Sequence, residues 1–309
     1  MSHPAVSVII PTHNRTNLLI AALDSVNAQT YRDYEVIVID DGSTEPIEPS
    51  LQGHATRPRV LHQPNLGPAA ARNRGIQAAQ ADLVAFLDSD DLWLPTKLER
   101  FVNALRQDAA CPLYFGPMSA IDAEGRPVSG RSKPCCGGQV TERLFCSSFV
   151  HVPTVVCRRQ VLLDAGGFDE SLPVCEDYDL WLRLSVDHSF GLIEEPLALR
   201  RLHGNRLSKS RMSRNLTVKA SVLKRFHAGD RSRGKISREK AMKRLSKVYF
   251  AAGKAAFLNG EYHAAAGHLR DSRAFGQSAL RTAPWKTAAA LLGLFSREAS
   301  AQASPLVQN

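Results

Sequence analysis

The stretch FLDSDD at 86–91 sets three carboxylates, Asp88, Asp90 and Asp91, directly after the strand-forming run LVAF. Like charges this close repel and resist ionisation, so something positive belongs beside them. In an extended segment side chains i and i+2 share a side, so Asp88 and Asp90 can converge on one cation. Hard divalent ions such as Mg²⁺ and Mn²⁺ suit carboxylate oxygens and leave positions for phosphate oxygens. The competing reading is a solvated turn whose Asp residues cap the helix that follows Pro95. Two further acidic pairs stand in the chain: Asp40-Asp41 in IDDGS, a turn signal, and Glu176-Asp177 in CEDYDLW. Glu176 and Asp177 open a helical pattern and diverge from each other. One of them can serve as a single general base, or both can simply complement the helix dipole.

These residues need a scaffold, and the apolar pattern supplies one. VSVIIP (6–11), YEVIVIDDGS (34–43), RVLHQP (59–64) and ADLVAFLDSDD (81–91) read as buried strands. Helices are expected at about 17–29 with Thr16 as cap, after Gly67-Pro68, and after Pro95. This β/α alternation predicts an α/β fold with a mostly parallel sheet and helices on its faces. Ligands bind beyond the carboxyl ends of such strands, where PTHN, DDGS and DSDD all lie. Further strands are expected in PLYFGPMSAI, VPTVVCR and FGLIEEPLALRRLH (190–203), a helix over 176–187, and a long loop over 125–139. Beyond about residue 212 the pattern is helical, with a tetratricopeptide-like hairpin around Asn259-Gly260 and a frayed tail. The expected division is residues 1–212 and a basic helical region, 213–309.

SVIIPTHNR, YEVIVIDDGS and NLGPAAARNRGIQAAQADLVAFLDSDDLWLP, followed by GGFDE, EDYDLWLRL and LRRLHGNRLSKS, resemble in order and spacing the family 2 glycosyltransferases of GT-A fold. The resemblance covers about residues 5–212. It implies a GT-A, Rossmann-like nucleotide-diphospho-sugar transferase domain with a small all-helical C-terminal extension. It implies an inverting, metal-dependent enzyme that moves a sugar from a nucleotide-diphosphate sugar, a UDP-sugar being favoured, to a hydroxyl of a glycan or lipid-linked acceptor. Cell-envelope polysaccharide synthesis is the expected setting. By the same resemblance, Asp90, Asp88 and His203 would hold Mn²⁺ or Mg²⁺. Pro11, Thr12, Asn14, Asp41, Arg72, Asp88 and Ser89 would line the nucleotide-sugar site. Arg201 and Arg206 would face the diphosphate, Asp177 would be the base, and Glu176 would line the acceptor site. His13 stands where the family often carries Tyr.

The net charge of +9 is uneven: Arg201–Lys247 holds 16 Lys and Arg against 2 Asp and Glu, a local +14 that leaves −5 elsewhere. Such a segment suits an anionic surface, either the inner membrane leaflet or a lipid-diphosphate acceptor. No nucleic-acid motif accompanies it, so no nucleic-acid partner is expected. A basic n-region is missing before the short N-terminal apolar run, and no stretch nears ~18 apolar residues. The expectation is a cytoplasmic protein, peripheral at most. Six cysteines without zinc-like or CxxC spacing are expected to be reduced and structural. The alternative function is a catalytically degenerate GT-A protein acting as a basic membrane- or partner-binding module.

Overall fold

The structure is a computed structural model and describes residues 3–128, 134–202, 212–285 and 287–289. The chain forms two compact units, Met1–Gly204 and Asn205–Asn309. In the first, the elements in chain order are β1 (Val6–Thr12), α1 (Thr16–Asn27), β2 (Tyr34–Asp41), α2 (Glu48–Leu51), β3 (Arg59–Gln63), α3 (Pro68–Ala78), β4 (Leu83–Phe86), β5 (Leu92–Trp93), α4 (Lys97–Gln107), β6 (Leu113–Phe115) and β7 (Met118–Ile121). There follow β8 (Pro127–Val128), α5 (Thr141–Cys146), β9 (Val156–Arg158), α6 (Arg159–Asp164), α7 (Glu176–Ser185), β10 (Phe190–Leu192) and β11 (Ala198–Arg201).

A sheet of order β10-β6-β9-β4-β1-β2-β3 carries the core. β1, β2, β3 and β4 run parallel; β1, β2 and β4 are almost wholly buried because helices cover both faces, whereas the edge strand β3 buries only Gln63. α1 turns Leu19, Ala22, Leu23 and Val26 inward at helical spacing, against Val6, Val8, Ile10 and Val36. α3 lies unusually close to β1: a Cβ on Gly75 would fall inside contact distance of Ile9 Cγ2. Only glycine permits that approach, which brings the polar side of α3 to the sheet edge.

The sheet is mostly parallel, as expected, with β9 running antiparallel to both β4 and β6. Three other expectations need correction. Residues 190–203 do not form one strand. β10 joins the large sheet, while β11 joins a second sheet of order β5-β11-β7-β8. The turn residues Glu194-Glu195-Pro196 break the run, since Pro has no N–H to give a central ladder. Pro117 divides PLYFGPMSAI between the two sheets in the same way, as β6 and β7. Thr16 is the first helical residue of α1 rather than its cap. The N-cap position belongs to Arg15 and has no side-chain cap bond.

The second unit is helical as expected, with helices at Met212–Ala228, Arg238–Leu258 and Tyr262–Ala274. The middle helix packs against both others, so the expected hairpin has a further helix, Met212–Ala228, packed on it. Tyr249 stacks on Phe275 with ring centroids 5.5 Å apart, and Ser237 caps the middle helix through the Lys240 amide. Among the described residues no helix is long and apolar enough to cross a membrane. None of the six cysteines is in a disulfide.

Candidate active site

The parallel register aligns Thr12 with Asp40 and Ile9 with Phe86. PTHN, DDGS and DSDD therefore leave the sheet along one edge, as the strand order predicts. Asn14 ties the first two loops together. It sits at φ 51°, its side-chain oxygen accepts from the Thr44 amide at 2.8 Å, and its own amide donates to Ser43 Oγ at 2.9 Å. His13 Nδ1 lies 2.9 Å from the Asp41 carbonyl, so it carries the proton there. Nε2 then accepts from the Asn14 and Asn65 amides at 3.2 and 3.3 Å. Thr12 is buried beside Pro11, and its hydroxyl has no protein partner among the described residues.

Asp41 is a loop organiser. Its buried carboxylate accepts from Gln63 Nε2 at 2.8 Å and from the Leu66 and Gly67 amides, each at 2.9 Å. Gly67, at φ 93°, takes a conformation few side chains tolerate, which lets its amide face Asp41 while Pro68 starts α3. Asp40 accepts from the Ser43 amide and faces His62 Nδ1 at 3.0 Å. The hydrogen bond to Asp40 raises the His62 pKa, and contact with Glu48 adds to the rise.

DSDD is not extended. The Asp91 amide donates to the Asp88 carbonyl at 3.0 Å, which makes a tight turn across buried Ser89. Asp88 and Asp90 therefore do not share a side by i, i+2 alternation, because the strand ends at Phe86. Two arginines supply the missing positive charge. Asp88 pairs with Arg72 Nη2 at 2.7 Å, and Asp90 pairs with Arg15 Nη1 at 2.9 Å. Asp91 is buried and accepts from the Arg201 amide at 3.1 Å. Burial raises its pKa well above the usual carboxylate range, and the charges of Asp88 and Asp90 add to the rise.

Arg72 does not extend from α3 into solvent. It is buried, with its guanidinium 5.4 Å over the Phe168 ring, and its other terminal nitrogen donates to Glu176 at 2.7 Å. Desolvation opposes its charge, but Asp88 and Glu176 outweigh that and hold its pKa above the ordinary value. One side chain thus joins the acidic turn to the start of α7. Asn73, the next residue, ties α3 to the loop ahead of α7. Its amide donates to the Phe168 carbonyl at 2.9 Å, and its oxygen accepts from the Phe168 amide at 2.8 Å.

α7 begins after Cys175, a left-handed residue at φ 64°. Backbone strain of this kind persists only where surrounding contacts over-determine it. Glu176 points to Arg72. Asp177 Oδ1 accepts from the Tyr178 amide at 2.7 Å. Burial and then the Glu176 charge push the Asp177 pKa up to about 7, while Arg72 opposes the rise. Asp179 is bound by Arg183 at 2.7 Å, and Arg183 also donates to the Ala165 and Gly167 carbonyls. Phe168 and Trp181 are buried in an edge-to-face chain with Phe86.

Arg201 differs from expectation. It is buried, its guanidinium donates to the Ala123 carbonyl at 2.8 Å, and only its backbone amide meets the acidic turn. Its side chain reaches the β7–β8 turn. His203 and Arg206 lie outside the described residues. Among the described residues no cluster of three His, Cys, Asp or Glu could enclose a metal. Asp88 and Asp90 nonetheless fit a hard divalent ion that keeps positions for phosphate oxygens, because both carboxylates are reachable from solvent, at 30% and 15% exposure. Arg15 and Asn73 were missed by sequence reasoning. Arg15 directly follows PTHN, which was the one available signal.

A mixed sheet with three polar loops on one edge, an acidic turn after β4 and an acidic helix start opposite it define a GT-A-type nucleotide-sugar transferase fold. The solved structure of Staphylococcus aureus TarS 1–349 in complex with UDP-GlcNAc superimposes with a TM-score of 0.68 at 18% identity, covering 92% of this chain and 89% of that one. The Pyrobaculum calidifontis mannosyltransferase in complex with GDP-Man and Mn²⁺ gives 0.58 at 18% identity, over 94% and 81%. Residues 7–132 match the model of glycosyl transferase family 2. A Rickettsia felis uncharacterized glycosyltransferase is 34% identical over 203 residues, which is 64% of this chain and 33% of the relative. The chain thus spans about a third of that curated relative's length. The N-terminal unit is a family 2 glycosyltransferase domain of GT-A fold.

Proposed function

We propose that the chain is an inverting, divalent-metal-dependent glycosyltransferase. It transfers a sugar from a nucleotide-diphosphate sugar to a hydroxyl of a glycan or lipid-linked acceptor, in cell-envelope polysaccharide synthesis. One observation carries this reading. Asp177, with a pKa of about 7, stands beside Glu176, and Arg72 bridges Glu176 to Asp88 of the acidic turn. A base poised near neutrality is thereby fixed relative to a two-carboxylate turn, as a displacement with attack and departure on opposite faces requires.

The pocket for the nucleotide is assigned to Pro11, Thr12, Asn14, Asp41, Asp88 and Ser89. In the reaction the acceptor oxygen bonds to the sugar's anomeric carbon as the bond to the diphosphate breaks. Asp177 takes the acceptor proton, and Glu176 lines the acceptor side. Asp90 and Asp88, with His203, would hold Mn²⁺ or Mg²⁺, which supplies charge stabilisation to the diphosphate leaving group. Arg206 is assigned to the diphosphate. A UDP-sugar is the favoured donor, in line with the UDP-GlcNAc held by TarS, and the Mn²⁺ of the Pyrobaculum enzyme supports the metal. The basic segment after Arg201 is assigned to an anionic membrane surface or lipid-linked acceptor.

A thermal-shift panel of UDP, GDP, dTDP and CMP, each with and without Mn²⁺, tests this on wild type and Asp90→Ala. The expected result is Mn²⁺-dependent stabilisation by UDP that disappears in Asp90→Ala. Indifference of the wild type to every nucleotide with Mn²⁺ present would refute the reading and leave the degenerate binding module.

A further inference from the structure

Two arginines meet the acidic turn, and they are not equivalent. Arg72 is 6% exposed, carries two carboxylates and stacks on Phe168, so it cannot leave without stranding Glu176. Arg15 stands at the start of α1, immediately after the PTHN loop, with 28% of its side chain exposed. Its Nη1 meets Asp90 Oδ2 at 2.9 Å, on the carboxylate assigned above to the metal. A divalent ion on that carboxylate would set a second cation beside the guanidinium, and their repulsion weakens the Arg15 pair.

We propose that Arg15 is an exchangeable cation. It holds Asp90 in the donor-free site, yields that carboxylate to the divalent ion, and then pairs with the donor's diphosphate. The idea rests on the metal-dependent reading above. Its physical basis is the geometry of the loop. Asn14 anchors the backbone next to Arg15 through Ser43 and Thr44, so the side chain can swing while its root stays fixed. A guanidinium suits both states, because its fork matches carboxylate and phosphate oxygens alike. The consequence is ordered loading. Metal alone competes with Arg15 and binds weakly, whereas metal arriving with a diphosphate gives the arginine a new partner.

The test measures Mn²⁺ binding by electron paramagnetic resonance on the full chain, as wild type, Arg15→Gln and Arg15→Lys, with and without inorganic diphosphate. Circular dichroism confirms folding of each variant, and the two substitutions guard against failure of one. With Mn²⁺ alone, Arg15→Gln is expected to bind about five-fold tighter, the scale of a partly exposed ion pair. Arg15→Lys keeps the charge but loses the fork, and is expected to bind tighter than wild type by a smaller factor. For the Mn²⁺–diphosphate complex the order reverses, with Arg15→Gln about five-fold weaker. Mn²⁺ binding in Arg15→Gln at or below wild-type strength would overturn the exchange. So would wild-type affinity in Arg15→Lys, which would reduce the effect to bulk charge. If none of the three proteins binds Mn²⁺ even with diphosphate, the metal-dependent reading falls and the exchange falls with it.

Discussion

Replacing Arg72 with Met keeps the apolar stem over Phe168 and removes only the charge. Glu176 then remains buried, at 11% side-chain exposure, with its ion partner gone. Breaking a buried pair by deleting one member costs about 3–5 kcal/mol. The pair with Asp88 is 30% exposed on the carboxylate side and adds at most about 1 kcal/mol. The expected loss is therefore about 4 kcal/mol, a large share of the roughly 5–15 kcal/mol available to a domain. Urea denaturation at pH 8, followed by the fluorescence of Trp93 and Trp181, reads the N-terminal unit that holds both. The pH dependence has a definite sign. Asp177 titrates at about 7 in the folded protein even with Arg72 opposing the rise, against about 3.9 when unfolded. A raised carboxylate is harmless below the unfolded value and costs stability progressively as pH climbs to the folded one. Without Arg72 the rise is larger, so the penalty at pH 8 should exceed that at pH 5. Adding Glu176→Gln should recover a substantial part of the loss, since a neutral amide needs no counter-charge. A loss under about 1 kcal/mol at pH 8, or a double variant no more stable than Arg72→Met, would refute the bridging role.

Asp177→Asn should bind nucleotide within two-fold of wild type yet transfer sugar about 10²–10⁴ times more slowly; normal transfer would remove Asp177 from the base role. In the wild type, kcat/KM should rise with pH and level off above about 7, as Asp177 must be deprotonated to accept the proton. Gly75→Ala should lower stability by about 1–3 kcal/mol, because the added methyl meets Ile9 on β1; an unchanged melting temperature would count against that packing. Lys97 is fully buried over Phe101 and Trp93, and its ammonium has no hydrogen-bond acceptor among the described residues. Burial holds its pKa well below the ordinary value, so its charge costs stability at low pH and the cost vanishes above the unfolded value near 10.4. Lys97→Met should therefore stabilise by about 1–3 kcal/mol, with a larger gain at pH 6 than at pH 10, as calorimetry would show.

The parallel half of the fold was legible because its strands are buried on both faces and so read as unbroken apolar runs between turn residues. Val6–Thr12, Tyr34–Asp41 and Leu83–Phe86 all appear close to their expected places. The half after Cys111 was less legible. Its strands are two to four residues long, too short for periodicity to speak, and β9 reverses direction without any local mark. The C-terminal helices, at 13 to 21 residues, gave a clear 3.6-residue pattern.

Residue types and loop positions alone determined that this chain gathers acidic and polar loops at the carboxyl ends of parallel strands, because strand direction follows from the β/α alternation. Which charge neutralises which was decided only by tertiary packing. Arg15 and Asp90 are 75 positions apart, and Arg72 and Glu176 are 104 apart. Arg201 looked equally available in the sequence, yet its side chain is spent on the Ala123 carbonyl. An arginine carries the same charge wherever it stands, and local sequence holds no record of the partner it meets. That partner is set by how closely helix and sheet approach, here by the missing side chain of Gly75 that lets α3 settle on β1.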